Sequence, residues 1–183
     1  MELNLQQLTA ISQSKNQAVL QAVLPGLNEC MAKYEINTPL RACHFLAQIL
    51  HESGRFVYFE EIASGKAYEG RKDLGNTQAG DGVKFKGRGV IQITGRANYA
   101  SISKDLGVDF VANPPLLADK KWGVISAGWF WNKRKLNIAA DADDFIKVTK
   151  RINGGTNGLE DRRKYLNLAK SVLMPAAPTQ MNS

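Results

Sequence analysis

Along most of the chain, apolar residues recur at three- and four-residue steps, a spacing that predicts helices. Leu5, Leu8 and Ile11 follow Asn4 and suggest a short first helix. A second helical region covers residues 16–34, interrupted or kinked at Pro25-Gly26. The clearest pattern is "NTPLRACHFLAQILHESG". There Thr38 suits the N-cap and Pro39 the first helical position. Cys43, Leu46, Ala47 and Leu50 form one apolar stripe, and Gly54 suits the C-terminal cap.

Residues 62–89 lose this periodicity. They are rich in glycine and charge, and read as loops with a small β-hairpin. "VIQIT", residues 90–94, is a β-branched run expected as strand or extended chain. Thr94 is placed to cap a helix reaching about Leu106, with Gly107 after it. Further helices are expected near 119–133, 142–152 and 158–173, with Asn153-Gly154-Gly155 turning between the last two. The closing "PAAPTQMNS" reads as a frayed tail. The expectation is one mainly α-helical domain over residues 1–174, followed by a flexible tail over 175–183.

Composition adds limits to this picture. The 183 residues suit a single domain with a sizeable core. Cys30 and Cys43 are too few for a disulfide framework and read as small buried apolar residues. "MELNLQQLTAISQSKNQ" lacks the basic start and apolar core of a signal peptide. No apolar run approaches the ~20 residues of a membrane span. The net charge is 24 − 17 = +7, which favours a polyanionic partner: nucleic acid, an anionic membrane face or an acidic wall polymer. "KWGVISAGWFWNKRK" interleaves aromatics with bases, as single-strand binders can. Its Trp122, Ile125, Trp129 and Phe130 nevertheless fall at helical spacing, the pattern of a core.

Chemistry is suggested by "HFLAQILHESGRFVYFEE", residues 44–61. Glu52 falls in the last turn of the predicted helix, with Gln48 and Ile49 beneath it. A helix C-terminus disfavours an anion, and partial burial acts in the same direction, so a protonated general acid could sit there. A surface glutamate at a helix end fits the same position. Glu61 follows nine residues later, in a loop reached through Phe56, Tyr58 and Phe59. Spacing alone leaves Glu60, Glu61, Glu69, Asp73 and Asp81 all eligible as its partner. "HESGR" has Arg55 where the zinc motif HExxH needs its second histidine, and His44 brings no further ligands with it, so no metal is expected. "GRGVIQITG" lacks phosphate-loop spacing.

Four segments in order, "FLAQILHESGRF", "GDGVKFKGRGVIQITGRANY", "SAGWFW" and "INGGTNGLEDRRKY", resemble glycoside hydrolase family 19, in its phage and prophage endolysin branch. The resemblance spans roughly residues 36–172. It implies a lysozyme-like helical domain with loops or a β-hairpin flanking a substrate cleft, and no cofactor. By that resemblance Glu52 is the general acid. Glu61 is the general base that activates water for inverting attack, and Thr94 helps to hold that water. Gln92, Asn98 and Asn153 match positions that line the sugar cleft, and Arg162 matches a basic position near the carboxylates. Asn153 also fits a purely structural part in its Gly-Gly turn. The interval between the glutamates is shorter than in the family's plant chitinases, and "EEIASGKAYEGR" departs from the commoner Glu-Asn pattern, so Glu60 rivals Glu61.

The implied substrate is a β-1,4-linked aminosugar polymer. A short basic chain with neither signal peptide nor chitin-binding module favours the glycan strands of peptidoglycan over chitin. The implied setting is an endolysin, monomeric, held in the host cytoplasm until lysis admits it to the periplasmic wall. A chitinase, a non-catalytic wall-binding module of the same fold and a nucleic-acid binder are the rival readings. The last predicts salt-sensitive DNA binding indifferent to Glu52, and no specific nucleic acid is expected here.

Overall fold

A computed structural model describes residues 1–175. Apart from Pro175, the tail expected over 175–183 lies outside the described residues. The described chain is mainly helical: α1 (Leu5–Ser12), α2 (Gln17–Lys33), α3 (Pro39–Glu52), α4 (Asp81–Lys84), α5 (Arg96–Leu106), α6 (Lys120–Lys133), α7 (Leu136–Asp141), α8 (Phe145–Asn153) and α9 (Leu159–Leu173). None of the described helices is long and apolar enough to cross a membrane.

Capping side chains set most of the starts. Asn4, Asn16, Thr38, Asp119 and Asp144 each accept a backbone N–H from the first turn of the helix they precede. α2 runs without a break across Pro25, where an interruption or kink was expected. One backbone hydrogen bond is lost there, and packing of the 17-residue helix along α6 offsets it. Cys30 and Tyr34 approach so closely that a Cβ on Gly128 of α6 would lie 2.3 Å from the thiol sulfur. Both cysteines are buried and free, and burial raises Cys30 to about 12 and Cys43 to about 11.

α3 is the central element. Ala42–Leu50 are buried without exception, so the expected stripe is a helix enclosed on all sides. Its main packing partner is α9, with α7 and α8 beside it. Three polar residues at four-residue steps, His44, Gln48 and Glu52, form one polar edge of this helix. His44 Nε2 lies 2.7 Å from Asp143 Oδ1, and Gln48 Nε2 donates to Thr149 Oγ1 at 3.1 Å.

His44 predicts a pH dependence of stability. Burial lowers its pKa from 6.5, aided by Lys170 and opposed by Asp143 and Asp144. The unfolded chain therefore takes up a proton before the folded one does. Stability is greatest above pH 6.5 and falls as pH drops through the window below it. Asp143 adds a later loss: burial would raise its pKa, but hydrogen bonds from Lys170 and His44 outweigh this and hold it below 3.8. Urea unfolding at pH 7.5, 6 and 5 should show a declining free energy, and a pH-independent value over that range would refute this account.

The loop region differs from the expectation. Residues 62–80 contain short 3₁₀ turns at Lys66–Tyr68 and Lys72–Leu74, and no hairpin forms. Among the described residues, β pairing is limited to isolated bridges, Glu60 with Arg88 and Arg88 with Ile93. "VIQIT" is a tight turn, because Gln92 takes a left-handed φ of 56° and Arg88 and Ile93 close it with two backbone hydrogen bonds. Thr94 is not the cap of α5. Gly95 precedes that helix, and the Thr94 hydroxyl donates to the Gln92 carbonyl at 2.9 Å.

Candidate active site

Glu52 closes α3. The helix ends in a Schellman arrangement, with Arg55 N donating to Leu50 O and Gly54 N to His51 O. Gly54, Arg55 and Phe56 are all left-handed, with φ of 56°, 63° and 65°. This reversal buries Phe56 in the core and turns the chain back across the end of α3. Beneath Glu52 lies Arg162 of α9, only 2% exposed. Its Nη2 donates to Glu52 Oε1, its Nη1 to Gln48 Oε1 at 2.6 Å, and its Nε to Asn157 O at 3.2 Å. A buried guanidinium thus holds one carboxylate oxygen. Among the described residues, Oε2 has no protein partner.

Glu61 is fixed by a different set of contacts. Phe59 O accepts from Gly89 N at 2.8 Å, and Glu61 N donates to Gly87 O at 2.9 Å, pinning residues 59–61 against 87–89. Glu61 Oε2 accepts from Gly87 N at 3.0 Å, and Oε1 accepts from the Tyr68 hydroxyl at 2.9 Å. Burial and the neighbouring carboxylate raise the Tyr68 pKa, so the phenol remains a donor. The carboxylate retains lone pairs for a water.

One cavity of about 310 Å3 is lined by Glu52, Tyr58, Glu60, Glu61, Ile62, Ala63 and Gln92. Gln92 also lines a second cavity, of about 350 Å3, with Thr94, Asn98, Trp129, Phe130, Lys133 and Arg134 among its walls. The left-handed backbone of Gln92, uncommon for a residue with a side chain, sets it at this junction. Thr94 and Asn98 are therefore in the cleft but in the second cavity, apart from the one that the glutamates line. Asn98 also donates to Thr94 O at 2.8 Å. Of the residues expected in the core from helical spacing, Ile125 and Trp129 are buried and Trp122 and Phe130 are partly buried against it; Trp129 lines the cleft as well.

The other eligible carboxylates are committed elsewhere. Asp81 is buried and paired with Arg96. Asp73 pairs with Arg71, and Glu69 accepts from Gly80 N and Gly82 N at the start of α4. Glu60 lines the first cavity but is held by Arg88 at 3.0 Å and Lys86 at 3.3 Å. Arg88 itself is buried and also donates to Lys84 O and Tyr99 Oη. The two histidines are likewise separate, His44 with Asp143 and His51 with Asp161.

Asn153 lines neither cavity. Its amide braces the turn after α8, donating to Asn157 O and accepting from Gly155 N. Because Asn157 O also accepts from Arg162, this turn supports the guanidinium that holds Glu52. Gly158 completes the support. It has φ of 69°, and a Cβ there would lie 2.2 Å from the His51 ring. Gly158→Ala is expected to cost roughly 2 kcal/mol or more, from overpacking and backbone strain together. Thermal unfolding measures it, and an unchanged Tm would contradict the tight packing of His51 against this turn.

Comparisons with known proteins agree with this architecture. The family model for glycoside hydrolase family 19, described as chitinase class I, matches residues 45–151. A family 19 domain-containing protein of Haemophilus influenzae is 35% identical over 151 residues, covering 66% of this chain and 74% of that protein. An endochitinase of Arabidopsis thaliana is 40% identical over 111 residues, covering 60% of this chain. Of that endochitinase's own length, the match covers only 38%. Chitinase C from Streptomyces griseus superimposes with a TM-score of 0.74 at 22% identity, over 93% of this chain and 76% of its own. A class IV chitinase from Zea mays gives 0.66 at 24% identity, over 91% and 90%. Those two likenesses establish the lysozyme-like helical fold, and the family match establishes the rest: the chain belongs to glycoside hydrolase family 19 and is a glycoside hydrolase.

Proposed function

We propose that this hydrolase cleaves β-1,4 glycosidic bonds of bacterial peptidoglycan by an inverting acid–base mechanism, as an endolysin. The observation that carries the mechanism is the pair Glu52 and Glu61 on one cavity, each anchored by different donors. Glu52 protonates the leaving glycosidic oxygen through Oε2. As the proton departs, the carboxylate charge develops against Arg162, already hydrogen-bonded at Oε1. Glu61, oriented by Tyr68 and Gly87, takes a proton from the attacking water. Inversion needs the carboxyls ~6.5–9.5 Å apart so that the water fits between them.

Thr94 contributes from the second cavity, where its hydroxyl and carbonyl are both tied into the Gln92–Asn98 turn. Gln92 and Asn98 offer the sugar amide groups within that cleft. Asn153 acts only through the turn it braces. The net charge of +7 supports an anionic polymer as substrate. A chitinase is the second reading, favoured by the identity to plant endochitinases. Wall action after release from the host cytoplasm, as a monomer, belongs to the same proposal. Expression with and without a membrane-lesion protein tests it, since lysis should require both.

The test of activity is turbidity loss of purified peptidoglycan and hydrolysis of N-acetylglucosamine hexamers, with the first anomer formed read by NMR. Clearing with an inverted first product supports the proposal. Retention of configuration overturns the mechanism, hydrolysis of the hexamer alone selects the chitinase reading, and inertness on both leaves a binding role.

A further inference from the structure

The two cavities of the cleft differ in their charges. In the cavity holding Glu52, Glu60 and Glu61, Arg162 backs Glu52 and Arg88 and Lys86 hold Glu60, so the Glu61 carboxylate alone has no cation partner among the described residues. Across Gln92, the second cavity has Lys133 and Arg134 and no carboxylate. Arg134 stacks on Phe130, its guanidinium carbon 3.5 Å from the ring centroid, and Nε donates to Arg151 O at 3.1 Å. No carboxylate pairs with it among the described residues. Lys133 reaches Ser101 Oγ, lies 4.6 Å from the Trp129 ring, and is 3.8 Å from Asp105. That aspartate already accepts from Trp129 Nε1 at 2.7 Å.

Two bases at the C-terminus of α6 compensate its dipole, which accounts for their sign. It does not account for their facing a cavity with Gln92, Thr94 and Asn98, whose amides and hydroxyl suit sugar hydroxyl and acetamido groups. We propose that Lys133 and Arg134 are specificity-determining residues, the carboxylate-holding end of the cleft, which select glycan strands bearing acidic substituents over neutral ones. The assignment rests on the hydrolase reading above. In peptidoglycan every second sugar carries a lactyl ether, whose carboxylate is either free or extended by a peptide with its own carboxylates. Glu61, whose carboxylate has no cation partner among the described residues, disfavours such a group at one end, and two cations hold it at the other, so the substituted sugar is favoured in the second cavity. Stacking on Phe130 presents the Arg134 fork in a fixed plane, the geometry that suits bidentate binding of a carboxylate.

The test compares wild type with Lys133→Gln, Arg134→Gln and the double variant on three substrates. These are intact peptidoglycan, amidase-treated strands that keep only the lactyl carboxylate, and the neutral N-acetylglucosamine hexamer. The double variant should lose roughly tenfold or more in kcat/KM on peptidoglycan, mostly through KM, the loss expected for a charge-assisted hydrogen bond. Hydrolysis of the hexamer should stay within about twofold. Added salt should raise the wild-type KM on peptidoglycan and leave that of the double variant flat. Dependence on both cations that persists on amidase-treated strands identifies the lactyl carboxylate, and dependence lost there identifies the peptide; either supports the assignment. An equal loss on all substrates, or none on peptidoglycan, overturns it while the hydrolase reading stands. Wild type active on the hexamer alone also overturns it, and inertness on every substrate removes the hydrolase reading itself. Lys133→Arg with Arg134→Lys guards against misfolding, since it keeps the charge but gives up the stacked fork, and should restore part of the peptidoglycan activity.

Discussion

Glu52→Gln is expected to lower kcat on glycan strands by about 10²–10⁴-fold, the range for loss of a general acid. The amide cannot donate a proton to the leaving oxygen, yet its oxygen still accepts from Arg162. The fold should therefore survive, with Tm moving by about 4 °C or less, roughly 1 kcal/mol at this chain length. Glu61→Gln should lose activity in the same range. Its amide oxygen can keep one of the two donors, Tyr68 or Gly87, while the basicity toward water is gone. Glu60→Gln serves as the control, because that carboxylate is held by Arg88 and Lys86. Its loss should register mainly in stability. If Glu60→Gln abolishes turnover while Glu61→Gln does not, the roles of the two neighbours are reversed.

The second large effect concerns Arg162→Met, which should reduce both stability and activity. The substitution keeps the apolar stem but leaves the Glu52 carboxylate, Gln48 Oε1 and Asn157 O without their common donor. Removing one member of a buried charged pair costs about 3–5 kcal/mol. Glu52 remains 24% exposed at its side chain, which places the expected cost near the lower end, about 3 kcal/mol. Urea unfolding of the two single variants and the Glu52→Gln, Arg162→Met double variant gives the coupling between them. The cost of Arg162→Met should shrink once Glu52 is already an amide. An undiminished cost would show that the guanidinium acts mainly through Gln48 and the 153–157 turn.

Local rules of sequence recovered much of this molecule. Thr38 and Pro39 start α3 as their chemistry dictates, and Asp119 starts α6 at the expected residue. The errors have specific causes. "DADD" at 141–144 offers several capping aspartates, and the helix expected over 142–152 begins at Phe145 because Asp144 is the one that caps it. The separate α7 before it, Leu136–Asp141, has no cap of its own to announce it. "VIQIT" has strand composition, but the pairing of Arg88 with Ile93 imposes a turn that β propensity cannot register. Glu52 and Glu61 were singled out by resemblance, and spacing alone left five carboxylates eligible. Their supports are long-range. Gln48 meets Arg162 across 114 positions, and Gly87 meets Glu61 across 26, so neither contact has a local signature. Tyr68 sits in a glycine-rich loop without periodicity, and only the folded path shows it donating to Glu61.

The polar edge of α3 has a consequence for how small a working enzyme can be made. The family model matches residues 45–151, which include both glutamates and the turn around Gln92. Yet His44 precedes that segment, and Arg162, Asp161 and Lys170 follow it, on a helix that also covers α3 and α1. A minimal version cut to the recognisable segment would keep the catalytic carboxylates while stripping the guanidinium from one and the helical cover from the core. The shortest functional version must therefore run at least through α9, and grafting the acid onto another helical scaffold would require transplanting its remote arginine with it.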